Sequence, residues 1–236
     1  VIEAVYAGGQ RVAEHGRLLE TAVFPDPIPP APAMRIDPAG LDFRVTAAGS
    51  HIRVIEIVPG QIITRQGQAE TPVADGQAVA DPHRDLVNMA VVERHRGSGR
   101  IGIGFVKGMG LRRGAIASSV AHDAHNIIVV GARDDDMHAA VRHVVDMQGG
   151  LAVVADGKVL ASLALPIAGL MSPKPIRWIQ EQLTGLTRAA RDLGTSLPDP
   201  FMTLSFLALP VIPDLKITDR GLVDVDRFEP VDLFVR

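Results

Sequence analysis

Hydrophobic positions along this chain recur at two spacings. Residues 51–58 nearly alternate apolar and polar side chains, which predicts a half-buried strand stopping at Pro59-Gly60. Two short apolar runs flank Gly8-Gly9 and predict a β-hairpin within residues 1–19. A lone hairpin is marginal in water, so it must pair with something outside that segment. Residues 61–80 read as a further strand and loop. Asp81-Pro82 opens a predicted helix over residues 84–96, proline costing little in a first turn. Residues 101–106 form a glycine-interrupted strand, and residues 116–120 and 127–130 are apolar strands. Asp134-Asp135-Asp136 begins a helix that ends at Gly149-Gly150. Three acids there oppose the helix dipole favourably, and Met137, Val141, Val144 and Val145 are its buried stripe. Residues 151–155 and 158–163 make a hairpin around Asp156-Gly157. The clearest helix runs from Pro173 or Pro175 to Leu193, where Ile176, Ile179, Leu183, Leu186, Ala190 and Leu193 step by three and four. After Pro198-Asp199-Pro200, residues 201–209 read as a strand-like run, and short strands follow near 215–217, 222–225 and 231–235.

Five prolines within residues 24–32 make an extended linker rather than an element. The predicted organisation is therefore a hairpin segment over residues 1–23, a linker over 24–50 and a main domain over 51–236. Hairpins interleaved with helices argue for an α+β fold, with a mixed or mostly antiparallel sheet and three or four packed helices, against a purely parallel sheet. The opening Val1-Ile2-Glu3-Ala4-Val5-Tyr6 reads as the middle of a strand in a longer polypeptide.

Composition narrows the function classes. A net charge of −3 with a single Trp and a single Tyr speaks against both a phosphate-backbone binder and a base-stacking platform, so no nucleic-acid partner is expected. The absence of cysteine removes disulfides, zinc ribbons and thiol catalysis, and fits a cytoplasmic protein. No apolar run approaches the roughly 18–20 residues of a membrane helix, so no membrane partner is expected.

Candidate chemistry is sparse. Gly102, Gly104, Gly108 and Gly110 match neither the dinucleotide fingerprint nor the P-loop, and read as a tight strand with close backbone approach. The most polar cluster between apolar strands is His122, Asp123, His125 and Asn126. It reads either as a metal or acid–base site or as a hydrogen-bonded corner that fixes a bend. On a strand, His122 and His125 point to opposite sides, which weakens a chelating pair. His83, His95, His138 and His143 read as solvated surface. The acidic run at 134–136 reads as helix capping rather than a cation site.

Several blocks together resemble a known family. They are the residues Ser-Val-Ala-His-Asp-Ala-His-Asn-Ile at 119–127, Met-Gln-Gly-Gly-Leu at 147–151, Leu-Pro-Ile-Ala-Gly-Leu-Met-Ser at 165–172, and the long stretches at 197–213 and 215–225. In this order they are similar to the C-terminal domain of bacterial and archaeal adenine deaminases, members of the amidohydrolase superfamily, over roughly residues 52–233. The resemblance implies an enzyme that hydrolyses adenine to hypoxanthine and ammonia at a binuclear divalent metal centre, manganese being the expected ion. That centre sits in a barrel preceding this segment, so the barrel is the implied partner of this domain, adenine the substrate of the full enzyme, and a homo-oligomer a further implied partner. The resemblance also implies that residues 1–23 are the end of a small β-sandwich domain completed by preceding strands. No catalytic or metal ligand of the family carries over to a residue of this chain, and no cofactor is expected in it. The alternative is a non-catalytic module that builds an oligomer or covers the active site, with the apolar run at 201–209 as its feature. A free-standing metal hydrolase on His122 and His125 is the third reading. The four-residue cluster is expected at a strand end facing the barrel mouth.

Overall fold

The run Leu-Val-Asn-Met-Ala-Val-Val at 86–92 has no polar face, and a strand apolar on both sides must be covered on both sides. In the computed structural model, which describes residues 2–19 and 31–235, this run is a central strand of an eight-stranded sheet. In chain order the strands are β1 (Ala4–Ala7), β2 (Gln10–Glu14), β3 (Arg17–Leu18), β4 (Val45–Thr46), β5 (His51–Ile57), β6 (Thr64–Glu70), β7 (Val73–Ala74), β8 (Gln77–Ala78), β9 (Leu86–Val92), β10 (Ile101–Lys107), β11 (Ala115–Ser118), β12 (Ile127–Gly131), β13 (Gly150–Ala155), β14 (Lys158–Ala164), β15 (Leu215–Thr218), β16 (Gly221–Asp224) and β17 (Glu229–Val231). The α-helices among the described residues are α1 (Asp134–Asp146), α2 (Ile176–Asp192) and α3 (Pro200–Phe206).

The large sheet has the order β14-β13-β11-β12-β9-β10-β5-β6. Its neighbours are antiparallel except β10 and β5, which run parallel. The expected α+β class with a mixed, mostly antiparallel sheet is what the chain adopts. Alternate residues of the central strands feed two cores. Val87, Met89, Val91, Ile116 and Val153 face α2, α3 and β15. Ala90, Val92, Ala117, Val129 and Val154 face α1 together with Leu41 and Phe43. Residues 41–46 thus belong to the packed fold, although the linker was expected to extend to residue 50; the proline-rich stretch at 24–30 lies outside the described residues.

Two expected elements are corrected. The helix expected over 84–96 is instead a single 3-10 turn, Pro82–Arg84, followed by β9. Asp81 caps that turn by accepting from the His83 N–H, and Asp85 ends it at φ +53°. Leu, Met and Ala favour a helix locally, but burial of all seven β9 side chains decides the outcome. The run expected as a strand over 201–209 is α3. The Asp199 carboxylate accepts from the Met202 N–H at 2.9 Å and Pro200 occupies the first turn, a capping arrangement that outweighs the β-propensity of the phenylalanines.

β1, β2 and β3 form a separate three-stranded sheet that leaves Ile2, Tyr6 and Leu18 more than 60% exposed. α2 lies where the apolar stepping predicts. Leu186, Ala190 and Leu193 are buried and Ile179 is half-buried, while Ile176 and Leu183 face outward.

The glycines of β10 serve close packing. A Cβ on Gly102 would lie 1.8 Å from the Thr218 carbonyl oxygen and 2.6 Å from the Gly221 nitrogen, because the β15–β16 turn rests directly on the strand. Gly102→Ala is expected to destabilise the fold by about 2 kcal/mol, the scale of overpacking a filled site. Thermal unfolding checks this, and an unchanged Tm would mean that the turn does not rest on β10.

Candidate functional site

The register of the sheet brings several connections to one end. Val92 pairs with both Ile127 and Ile101, and Ser118 pairs with both Ile128 and Leu151. The exit of β9 (residues 93–95), the turn from β11 to β12 (119–126), the entry to β13 at Gly150 and the segment after β14 (165–171) therefore meet at one edge. Residues 33–35 lie across them, Arg35 donating its N–H to the Arg94 carbonyl at 2.8 Å.

His122, Asp123, His125 and Asn126 occupy the turn between β11 and β12 rather than an extended strand, so the alternation of faces expected for them does not apply. His122 is half-buried, its ring centroid 4.6 Å from that of Phe206 on α3 and its N–H donating to the Ser205 carbonyl at 3.2 Å. Asp123 is exposed. His125 is half-buried at φ +50°, a left-handed conformation uncommon outside glycine. Its N–H closes the turn on the Ala121 carbonyl at 2.7 Å. Asn126 is buried and its Oδ1 accepts from the Arg94 N–H at 3.4 Å. The two imidazole centroids stand 6.2 Å apart.

Arg94, which lay inside the helix expected over 84–96, organises the turn. Only 2% exposed, it donates Nε to the His125 carbonyl, one terminal nitrogen to the Ala33 carbonyl at 2.7 Å and the other to the Ala168 carbonyl at 2.9 Å. Gly169 covers the guanidinium so closely that a Cβ there would lie 2.8 Å from it. Ser119, fully buried, adds a second tie: its hydroxyl donates to the Gly169 carbonyl at 2.5 Å and accepts from the Gly150 N–H at 2.8 Å. Glu93 is buried too. Burial alone would raise its pKa, but the Ser98 hydroxyl and the N–H groups of Ser98, Arg96 and His95 hold it at about 2. His95 is exposed, as expected, yet its Nε2 lies 2.7 Å from the Ala124 carbonyl, a second brace on the same turn.

Electrostatically, Asp123 does not dominate the imidazoles. Burial lowers the His125 pKa below its ordinary value, with smaller contributions in the same direction from His122 and Arg94, against a weaker pull upward from Asp123. Burial thus favours the neutral form of the His125 ring. A cleft of about 490 Å³ opens beside it, lined by Ala33, Arg35, Arg94, His95, His125 and Leu170 among others. A smaller pocket of about 90 Å³ lies on the His122 side, against Pro210 and Asp219.

The donor set does not suit a metal centre. Among the described residues no three His, Asp or Glu side chains are placed to share an ion, and the Asp123 and His125 side chains do not converge with His122 on a common point. The other histidines depart from a uniformly solvated surface: His138 is half-buried against Phe43 with centroids 4.6 Å apart, and His143 is half-buried with an unpartnered Nε2. The acidic run at 134–136 also does more than face the helix dipole, since Asp134 accepts from the Asn88 amide and buried Asp136 accepts from the Gly157 N–H. No helix among the described residues is long and apolar enough to cross a membrane.

Comparison with known proteins identifies the family. The family described as the adenine deaminase C-terminal domain matches residues 61–229. The chain is 52% identical over 233 residues to an adenine deaminase of Desulfatibacillum aliphaticivorans, covering 99% of this chain and 41% of that protein. It is 52% identical over 223 residues to one of Methylobacterium nodulans, covering 92% and 39%, and 47% identical over 237 residues to one of Methanothrix thermoacetophila, covering 99% and 41%. The chain thus spans about two fifths of the length of these curated relatives. With a match over most of its length, from β6 to β17, the chain belongs to the adenine deaminase C-terminal domain family.

Proposed function

We propose that this chain is the C-terminal part of an adenine deaminase, an enzyme that converts adenine and water to hypoxanthine and ammonia. The observation that carries this reading is the 52% identity to a protein of that name across 99% of the chain. The bond-breaking chemistry and its divalent metal pair, with manganese as the ion, belong to a barrel formed by the rest of the polypeptide, a reading supported by the family resemblance and by a chain that covers only 41% of its relative. Residues 2–19 are the end of a small β-domain completed elsewhere, which accounts for their exposed apolar side chains. The role of this domain is to present the turn at 119–126 to the barrel mouth, with His122 and His125 at the contact. A cytoplasmic setting suits a cysteine-free chain, and the outward Ile176 and Leu183 of α2 suit assembly with a second copy.

The test is to express the full-length polypeptide and follow hypoxanthine release from adenine, before and after chelation and with manganese restored. Activity lost on chelation and regained with manganese is expected, and no activity from the 236 residues alone. His122→Ala and His125→Ala in the full enzyme are expected to lower kcat/KM more than Tm. Loss of Tm with unchanged kcat/KM would reduce the turn to a bend-fixing network, and failure to release hypoxanthine would overturn the reading altogether.

A further inference from the structure

We infer that the cleft between Arg94, His125 and residues 33–35 is a carboxylate-binding site. Its titratable lining groups are Arg35, Arg94, His95 and His125, and no acidic residue joins them among the described residues. Arg94 is the central element. A guanidinium is always charged, and here it is enclosed with only carbonyl oxygens as partners. Among the described residues no carboxylate lies within ion-pair distance of it. Glu93, its sequence neighbour, is fully engaged with the 95–98 loop. A buried cation without a counter-charge is weakly screened and makes the adjoining cleft electropositive.

The donors available to a ligand favour a single planar anion. Of the lining main-chain N–H groups, those of Ala33, Arg35, Arg94, His95, His125 and Leu170 donate within the fold, which leaves those of Ala124 and Ala168. The cleft therefore lacks the ring of free N–H groups that cradles a phosphate. Beside those two N–H groups, the side-chain donors are the exposed guanidinium of Arg35, a flat fork that matches a carboxylate, and the His125 imidazole. The Nδ1 of His125, a residue of the cleft lining, is buried without a hydrogen-bond partner. An anion beside it would favour the imidazolium and oppose the effect of burial, His122 and Arg94, with Asp123 acting in the same direction as the anion and His95 against it.

The carboxylate has two possible sources: a side chain of the remaining polypeptide, which rests on the reading that the barrel faces this end, or a free small carboxylate. The experiment uses the full-length protein labelled with ¹³C-histidine, the His125 resonance being assigned with His125→Gln. Its pKa is measured in chloride and in acetate at equal ionic strength, for the parent protein and for Arg35→Gln. A pKa already above the ordinary value of about 6.5 in chloride, falling below it in Arg35→Gln, identifies a side chain of the polypeptide. A pKa below it in chloride that rises by about 1 with saturating acetate, and fails to rise in Arg35→Gln, identifies a free carboxylate. A pKa below the ordinary value in both salts overturns the proposal. Hypoxanthine release by the same preparation is scored separately. An active enzyme with an unresponsive His125 overturns the carboxylate site alone, and a responsive His125 in an inactive protein overturns the deaminase reading alone.

Discussion

Arg94→Ala is expected to cost on the order of 3 kcal/mol in unfolding free energy, the largest loss for a single side chain at the candidate site. Each hydrogen bond to a charged group contributes about 1.5–3 kcal/mol, and Arg94 makes three, to Ala33, His125 and Ala168. Returning the guanidinium to water in the variant offsets part of that sum. Removing it leaves three enclosed carbonyls without donors and a void beneath Gly169. Arg94→Lys keeps the charge, but a single ammonium does not reproduce the fork that reaches three loops at once, so it recovers only part of the loss. Urea unfolding of the parent and both variants gives the comparison. A loss below about 1 kcal/mol for the alanine variant would mean that the three loops hold their places unaided.

Lys216→Met is expected to abolish a rise in stability that the parent shows between about pH 8 and pH 10.5. Lys216 on β15 is wholly buried, its Nζ donating to the Ile62 carbonyl at 3.0 Å. Burial pushes its pKa down to about 8, against a smaller upward pull from Asp214. A depressed lysine binds its proton less readily in the folded than in the unfolded chain. Stability is therefore lowest below pH 8, rises as the folded group gives up its proton, and levels off above the unfolded value of 10.5. The span corresponds to a gain on the order of 3 kcal/mol, at about 1.4 kcal/mol per pKa unit. Methionine fills a similar volume without the charge, and Ile62 sits in an exposed loop where its carbonyl can take water. The variant should then be flat across that window and the more stable protein at pH 7. Lys107, Lys158, Lys174 and Tyr6 are exposed, so the parent-minus-variant difference isolates position 216. Parallel curves for the two proteins would refute this assignment.

The elements that were legible in the sequence carry their own signals. The β13–β14 hairpin turns at Asp156-Gly157, and α2 has an apolar step of three and four residues. β9 was not legible as a strand, because an element buried on both faces loses the alternation that marks one. α3 was misread although Asp199 and Pro200 announce a helix start, since its phenylalanines and leucines also suit a strand. The polar turn at 119–126 stood out as His, Asp and Asn between apolar runs. What holds it did not stand out, because Arg94 reaches partners 31, 61 and 74 residues away and no local pattern encodes that. Once the strand-like misreading of 201–209 is replaced by α3, the contact of His122 with Phe206 follows.

The Arg94 clamp grips main-chain oxygens, and a main-chain oxygen is present whatever amino acid occupies the position. Mutational drift at residues 33, 125 and 168 can therefore change the character of the cleft wall while the anchoring geometry persists, within the residues that tolerate the positive φ of positions 125 and 168, whereas at Gly169 nothing larger fits over the guanidinium. Framework and lining are inherited separately. A lineage can revise which molecule or neighbouring domain this end recognises through single substitutions at Arg35, His125 or Leu170, without first having to evolve a new way of folding it.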